Sequence, residues 1–322
     1  MQLIATRIPT MTLLELAPTR ETEPLLGPER RYLAQLLAQH APHDGRFDLA
    51  FPRTYAIRES KPHQRSLPAL YQPSICLVAQ GAKQLVLGDQ TYNYDTEHVL
   101  IVAVDLPVAA QITQASAAEP YLCFKLEFDP QRVAELALKV YSQGVPAPTQ
   151  LRAISTERTN RQLVQAASRL LDLLSQPDEV ELLAPLVIDE MIIRLLRSPF
   201  GGRLAQIGQT TSRVTPVAQA IGWLRRHFAQ PLRVEELATL ANMSVSAFHL
   251  HFKAVTALSP IQFQKTLRLH EARRLLVATA LEIGSISQQV GYASLSQFSR
   301  EYRRYFGCSP TEDLARLRRS SA

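Results

Sequence analysis

The sequence has 322 residues, more than one hydrophobic core usually supports, so we expect two domains. Hydrophobic residues make up 46% and charged residues 20%, a balance that excludes extensive disorder, and no apolar run reaches the roughly 18 residues of a membrane span. The three cysteines lack CxxC spacing and the N-terminus lacks a signal-peptide pattern, so we expect a cytoplasmic protein without disulfides or a cysteine-bound metal.

The first half of the chain is predicted to form one helix followed by a long series of short strands. Residues 28–40 carry apolar side chains at helical spacing. From Phe47 to Phe128, runs of Val, Ile, Leu and Tyr alternate with turn signals, and Gly88 and Asp89 are typical of a hairpin turn. Many short strands with little helix between them predict an antiparallel barrel or a double-sheet jelly roll.

Three helices are predicted after these strands, over residues 131–141, 158–174 and 180–196. The last two have wide apolar faces, which either cap the barrel or pair with a second copy of the chain, and the sequence leaves both open. Residues 198–215 are rich in Gly, Ser and Thr, so we predict the domain junction there.

The C-terminal part contains an internal repeat with a period of 50 residues. Residues 244–260 and 294–310 align in one register, with five identical positions and two conservative ones. A short predicted helix precedes each copy, over residues 234–241 and 286–290. Asn242 and Gly291 then suit the left-handed conformation after a helix, and Ser244 and Ser294 suit an N-cap. Helix, tight turn and helix form the architecture that places a second helix in the DNA major groove.

The second helix of each unit has an aromatic face and a polar face. Phe248 and Phe252, like Phe298 and Tyr302, are four residues apart and are predicted to pack inward together. The opposite face offers side chains of the types that read base edges or bind phosphates, and it is richer in them in the second unit. The predicted DNA-contacting residues are Ser246, His249, Leu250, Lys253, Ser296, Gln297, Ser299, Arg300 and Arg303.

Spacing and charge favour the same partner, double-stranded DNA. Residues 260–276 start with proline and predict one continuous helix of roughly 25 Å, which can hold two such units at a fixed separation. Major grooves on one face of B-DNA recur about every 34 Å. Residues 213–322 hold 15 Lys and Arg against 7 Asp and Glu, whereas the preceding residues are close to neutral. A basic domain attached to a neutral one is typical of a protein that binds a polyanion.

The sequence resembles the AraC family of transcription regulators. Residues 286–310 carry the pattern I-x-x-x-V-G-Y-x-S-x-S-x-F-S-R-x-Y-R-R-x-F-G-x-S-P, and YQPSICLVAQGAKQ, VDLPV and EPYLCFKLEFDP upstream are similar to a variant N-terminal domain of that family. The resemblance implies an α+β fold of two domains. Residues 1–205 would form a cupin-like, effector-binding and dimerisation β-barrel with flanking helices, and 213–322 an all-α domain with two helix-turn-helix units. The resemblance also implies that the nine residues named above contact DNA.

Three interpretations follow for the function. The first is a sequence-specific, DNA-binding transcription regulator of bacterial cytoplasm and nucleoid, needing no cofactor, in which a small effector bound in the barrel alters DNA binding. A second copy of the chain and RNA polymerase are left open as further partners. The second is a cupin-like metal-dependent enzyme, disfavoured because only His63 and His98 fall within the strand region and no catalytic motif is present. The third is an architectural DNA-binding protein without an effector.

Overall fold

The computed structural model describes residues 27–142, 144–146, 153–208, 216–279 and 281–320. The first 26 residues of the predicted N-terminal domain and the 209–215 part of the predicted junction lie outside the described residues. Within these ranges, no helix is long and apolar enough to cross a membrane.

In the described part of the chain, ten strands form two antiparallel sheets that face each other. The six-stranded sheet has the order β1-β2-β9-β4-β7-β10 and the four-stranded sheet the order β3-β8-β5-β6. The strands are β1 (Gly45–Asp48), β2 (Thr54–Glu59), β3 (Leu67–Tyr71), β4 (Ser74–Gln80), β5 (Ala82–Leu87), β6 (Gln90–Asp95), β7 (His98–Val102), β8 (Leu106–Gln114), β9 (Tyr121–Glu127) and β10 (Ile154–Arg158). The predicted double-sheet barrel is confirmed, including the hairpin at Gly88, whose φ of 64° is left-handed.

The central strands are apolar along their whole length because both of their faces are covered. In β4, Ile75 and Leu77 face a core shared with helices, while Cys76 and Val78 face the barrel interior. Strand β9 divides its side chains in the same way. A strand buried on two faces loses the apolar and polar alternation of a solvent-facing sheet, which explains the run SICLVAQ.

Five α-helices from the described ranges 27–142 and 153–208 cover the outer face of the six-stranded sheet. They are α1 (Gly27–His40), α2 (Pro130–Val140), α3 (Arg161–Asp172), α4 (Pro177–Leu196) and α5 (Gly201–Gly208). Helix α5 was not predicted from the sequence and lies within residues 198–215, where we predicted the domain junction. It forms there because Phe200, Leu204 and Ala205 are buried in the core that the helices share with the sheet.

The C-terminal domain forms seven helices within residues 216–279 and 281–320. They are α6 (Pro216–His227), α7 (Val234–Leu240), α8 (Val245–Thr256), α9 (Pro260–Ala278), α10 (Ile283–Gln289), α11 (Leu295–Phe306) and α12 (Pro310–Ser320). Helix α9 is continuous, as predicted, and contributes to two separate cores. Phe263 and Leu267 pack with α6, α7 and α8, whereas Leu269 and Leu276 pack with α10 and α11. One long helix therefore joins two compact units.

Candidate DNA-binding surface and interdomain cleft

The first helix-turn-helix unit comprises α7, its turn and α8. Asn242 follows α7 with a left-handed φ of 52°, and the Met243 amide donates to the Ala238 carbonyl at 2.9 Å, which closes the end of the helix. The Ser244 hydroxyl then accepts a hydrogen bond from the Ala247 amide at the start of α8. These contacts set the sharp angle between the two helices.

The second unit, α10 and α11, repeats this geometry with glycine in the turn. Gly291 has a φ of 89°, and the Tyr292 amide donates to the Ser287 carbonyl at 3.0 Å. The Ser294 hydroxyl accepts from the Gln297 amide at the start of α11. The turn and N-cap residues predicted from the repeat are confirmed in both units.

Aromatic side chains hold α8 and α11 in place by their inner faces. Phe248 and Phe252 are fully buried in the first unit, as are Phe298 and Tyr302 in the second. This confirms the inward faces predicted from the four-residue spacing. Hereafter α8 and α11 are called the recognition helices.

The nine predicted DNA-contacting residues lie on the outer faces of the recognition helices. Seven of them are exposed, and His249 and Ser299 are half-buried. Within the described parts of the chain, no hydrogen bond or ion pair holds the side chain of Lys253 or Arg300. Gln297 donates to Glu301 at 3.2 Å, and Arg303 lies 3.3 Å from Glu312, so both side chains are pre-oriented by carboxylates.

A buried carboxylate that sequence reasoning missed holds the second recognition helix. Asp313 on α12 is fully buried and accepts hydrogen bonds from Arg273 of α9, Arg316 of α12 and the Tyr302 hydroxyl of α11, each at 2.8 Å. Burial raises the pKa of Asp313, but the hydrogen bonds from Tyr302 and Arg273 lower it and outweigh the effect of burial. In the sequence, Asp313 reads only as an acidic residue in the first turn of a helix.

A half-buried histidine, His270, packs against Tyr305 and Phe306 and makes the second unit sensitive to acid. Burial lowers the pKa of His270 to about 4, and the Arg273 guanidinium acts in the same direction. The unfolded chain therefore binds the proton first, and the stability that His270 contributes is present above about pH 6.5 and is lost as the pH falls towards 4.

We expect the free energy of unfolding to fall by roughly 2 kcal/mol more in wild type than in His270→Phe between pH 7 and 4.5. Urea unfolding at each pH measures this, and identical pH dependence in both proteins would contradict it.

An ion pair between an exposed arginine and a buried aspartate joins the two domains. Arg225 on α6 lies 3.0 Å from Asp105, which follows β7 and is 8% exposed. Burial raises the pKa of Asp105, and Arg225 opposes that shift. Gln72, with its amide oriented to satisfy both neighbours, accepts from Arg225 at 2.6 Å and donates to Glu127 at 2.8 Å. The contact between domains thus continues into the barrel.

A cleft of about 650 Å³ lies between the barrel rim and α6. Its walls combine apolar side chains with guanidinium groups, and its lining includes Arg53, Val104, Phe128, Ile221, Trp223 and Arg226. The barrel interior, where we expected the effector, is occupied by side chains that include the buried Tyr71, Tyr94 and Tyr121. Among the described residues, no group of three or more His, Cys, Asp or Glu is placed to hold a metal ion.

The fold and its surface define a double-sheet barrel joined to a tandem helix-turn-helix domain. The tandem helix-turn-helix domain is a DNA-binding architecture. Residues 50–203 match the family model for the N-terminus of AraC-type transcriptional regulators, and residues 237–316 match a helix-turn-helix domain model. The chain therefore belongs to the AraC family of transcription regulators, as its motifs predicted. This family consists of regulators, which sets aside the metal-dependent enzyme.

Known proteins are similar to this chain in part of the sequence and in the fold. The transcriptional activator RhaS of Salmonella schwarzengrund is 26% identical over 155 residues, which cover 48% of this chain and 55% of RhaS. The transcriptional regulator ArgR of Pseudomonas aeruginosa is 31% identical over 160 residues, 48% of this chain and 46% of ArgR. The matched region thus spans about half of each relative's length. The structure of ToxT from Vibrio cholerae superposes with a TM-score of 0.60 at 12% identity, covering 81% of this chain and 97% of ToxT.

Proposed function

We propose that this protein is a sequence-specific transcription regulator that binds two successive major grooves of one duplex with its recognition helices and responds to a small effector. The observation that carries the proposal is the pair of matching units on one continuous helix, α9. Its 19 residues span roughly 28 Å at 1.5 Å per residue. That length is comparable to the spacing of about 34 Å between groove entries on one face of DNA.

The DNA-contacting residues in this proposal are the nine on the outer faces of the recognition helices. Arg300 and Lys253 differ in the role we assign to them. An arginine projecting from the first half of a recognition helix suits bidentate bonding to guanine, whereas a lysine near the end of such a helix suits phosphate contact. Leu250 is 72% exposed on α8, and its apolar side chain suits contact with the methyl group of a thymine.

Selection of bound duplexes from a random-sequence library tests this function. The full-length protein is expected to enrich one motif made of two short half-sites whose centres lie about 10 base pairs apart. Absence of any enriched motif at moderate salt would contradict the proposal, because charge alone binds DNA without sequence preference.

We propose that the effector binds in the interdomain cleft and carries a carboxylate attached to an apolar body. Structures of ToxT are described as bound to an unsaturated fatty acid and to a substituted butenoic acid. In this chain the cleft supplies apolar walls from Phe128 and Ile221. Arg225 is already paired with Asp105, while Arg226 makes no hydrogen bond or ion pair within the described residues and is available to an anion. A ligand there would touch both domains and would shift the balance between their arrangements.

Replacing Arg226 by alanine is expected to weaken carboxylate binding about tenfold, because a charge-assisted hydrogen bond to a partly exposed group contributes about 1.4 kcal/mol. Oleic acid serves as the probe, and its affinity is measured by calorimetry and by the rise in melting temperature. Arg233→Ala removes the same charge from an exposed site outside the cleft and is expected to leave binding unchanged. Equal affinity in wild type and Arg226→Ala would contradict this site. If no acid binds or raises the melting temperature, the result would favour an effector-independent architectural protein.

Two further partners belong to the proposal. Helix α4 exposes Leu182, Leu183 and Leu186, and we assign this face to a second copy of the chain. RNA polymerase is the partner that a regulator bound near a promoter would contact. The proposed site of action is the bacterial cytoplasm at the nucleoid, and 1–205 and 213–322 stand as the proposed domain boundaries.

A further inference from the structure

The compact unit of α6, α7 and α8 and the compact unit of α10 and α11 contact each other directly, beside their shared helix α9. The segment that follows α6, residues 228–230, lies against the turn of the second unit. A Cβ atom built on Gly291 would stand only 2.2 Å from the carbonyl oxygen of Ala229. Glycine is required at this position both for its left-handed backbone and for this close approach.

One side chain bridges this contact. Arg268 of α9 donates hydrogen bonds to carbonyl groups of both units, and its partners are Phe228 at 2.7 Å, Ala229 at 3.3 Å, Gln230 at 3.0 Å and Gly291 at 2.8 Å. The first three belong to the segment after α6, and the last belongs to the turn before α11. The five N–H donors of a guanidinium lie in one rigid plane, so a single arginine can hold several carbonyls in fixed relative positions.

A second side chain supports the same segment but does not bridge. Gln264, one turn earlier on α9 and buried, donates to the carbonyls of Phe228 and Gln230 at 3.0 and 2.7 Å. It has no bond to the second unit in the described structure. The link between the units therefore consists of the bond from Arg268 to Gly291, the close contact of Gly291 with Ala229, and Phe228, which packs against both cores.

We infer that Arg268 is a positioning residue that fixes the angle between the recognition helices and thereby sets the half-site spacing that the protein accepts. The inference rests on the proposed function, since it assumes that both units bind one duplex. Helix α9 fixes the distance between the units, and each unit packs on it through its own apolar core, with Phe228 packed against both cores. We assign their relative angle to the hydrogen bonds of Arg268, which tie the segment after α6 to the turn before α11 without touching DNA.

The lysine variant separates geometry from charge. Arg268→Lys keeps the positive charge, but an ammonium group at a single point does not span carbonyls from both units. We therefore expect Arg268→Lys to behave like Arg268→Ala in spacing selectivity. Arg274→Ala is the matched control, because Arg274 lies on the same helix, is exposed and, among the residues that the structure describes, pairs with Glu271 alone.

The experiment uses the full-length protein and duplexes carrying the selected motif, with the half-site separation changed one base pair at a time over five base pairs. Wild type and Arg274→Ala are expected to bind the native spacing at least tenfold more tightly than the others. For Arg268→Ala and Arg268→Lys, the ratio of affinity at the native spacing to affinity at the other spacings is expected to fall to about threefold or less. Affinity for an isolated second half-site is expected to stay within twofold of wild type.

Two outcomes overturn the inference without affecting the proposed function. One is an unchanged spacing ratio in both Arg268 variants. The other is an equal loss of affinity for the isolated half-site and the full operator, which would indicate general destabilisation rather than a change in angle. If wild type binds a single motif without any dependence on spacing, the two-groove proposal fails, and the inference that depends on it fails as well.

Discussion

Replacing Asp313 by alanine is expected to unfold the second helix-turn-helix unit preferentially. The substitution removes the carboxylate that joins α9, α11 and α12 and leaves the half-buried guanidinium of Arg273 and the Tyr302 hydroxyl without their shared acceptor. Breaking a buried ion pair from one side costs about 3–5 kcal/mol. Because Arg273 keeps partial access to water, we expect about 3 kcal/mol, or roughly a hundredfold larger open population. Hydrogen exchange of the amides in α10 to α12 of the full-length protein measures this directly.

The exposed neighbour Glu312 supplies the control for that change. Glu312→Gln removes one negative charge from the same turn, where the carboxylate accepts from the Ser309 amide and pairs with Arg303, and we expect a much smaller loss of protection than in Asp313→Ala. Protection of α11 amides that is as high in Asp313→Ala as in wild type would show that the buried cluster does not hold this helix.

Arg300→Ala is expected to weaken binding to the selected operator by about 1–3 kcal/mol, or up to roughly a hundredfold, and to abolish preference at one base pair. The physical reason is that a guanidinium gives two parallel bonds to guanine that no other base accepts equally well. The side chain is exposed on α11 and is held by no hydrogen bond or ion pair among the described residues. Binding to every single-base variant of the operator measures the loss position by position.

Lys253→Ala is the contrasting variant. As a phosphate contact, its loss should weaken binding to all sequences alike and reduce the slope of log affinity against log salt by about one unit. A specificity profile that Arg300→Ala leaves unchanged would contradict the assignment of base reading to Arg300. A base-specific loss in Lys253→Ala would contradict its assignment to phosphate.

The repeat made the C-terminal domain predictable because local chemistry determines most of its geometry. Ser244 and Ser294 act as N-caps, and Asn242 and Gly291 adopt the left-handed turn, as the sequence alone indicated. These are contacts between residues a few positions apart, which the printed sequence contains. The aromatic spacing within each recognition helix is local in the same sense.

Contacts between distant residues were not predictable in this way. Strand β10 was missed because its pairing with β7 depends on residues about 55 positions apart, and α5 was missed because its three glycines suggested a domain junction. Arg268 and Asp313 look like surface charges in the sequence. Only the packing of α9 against both units gives Arg268 its four carbonyl partners and buries Asp313.

Hydroxyl-radical footprinting of the full-length protein on its selected operator tests the central claim most directly. Two recognition helices on successive turns of one duplex predict two protected patches on the same face of the DNA, with centres about 10 base pairs apart. Arg300→Ala should weaken protection at the half-site bound by α11. A single protected patch, or two patches on opposite faces of the duplex, would contradict the account.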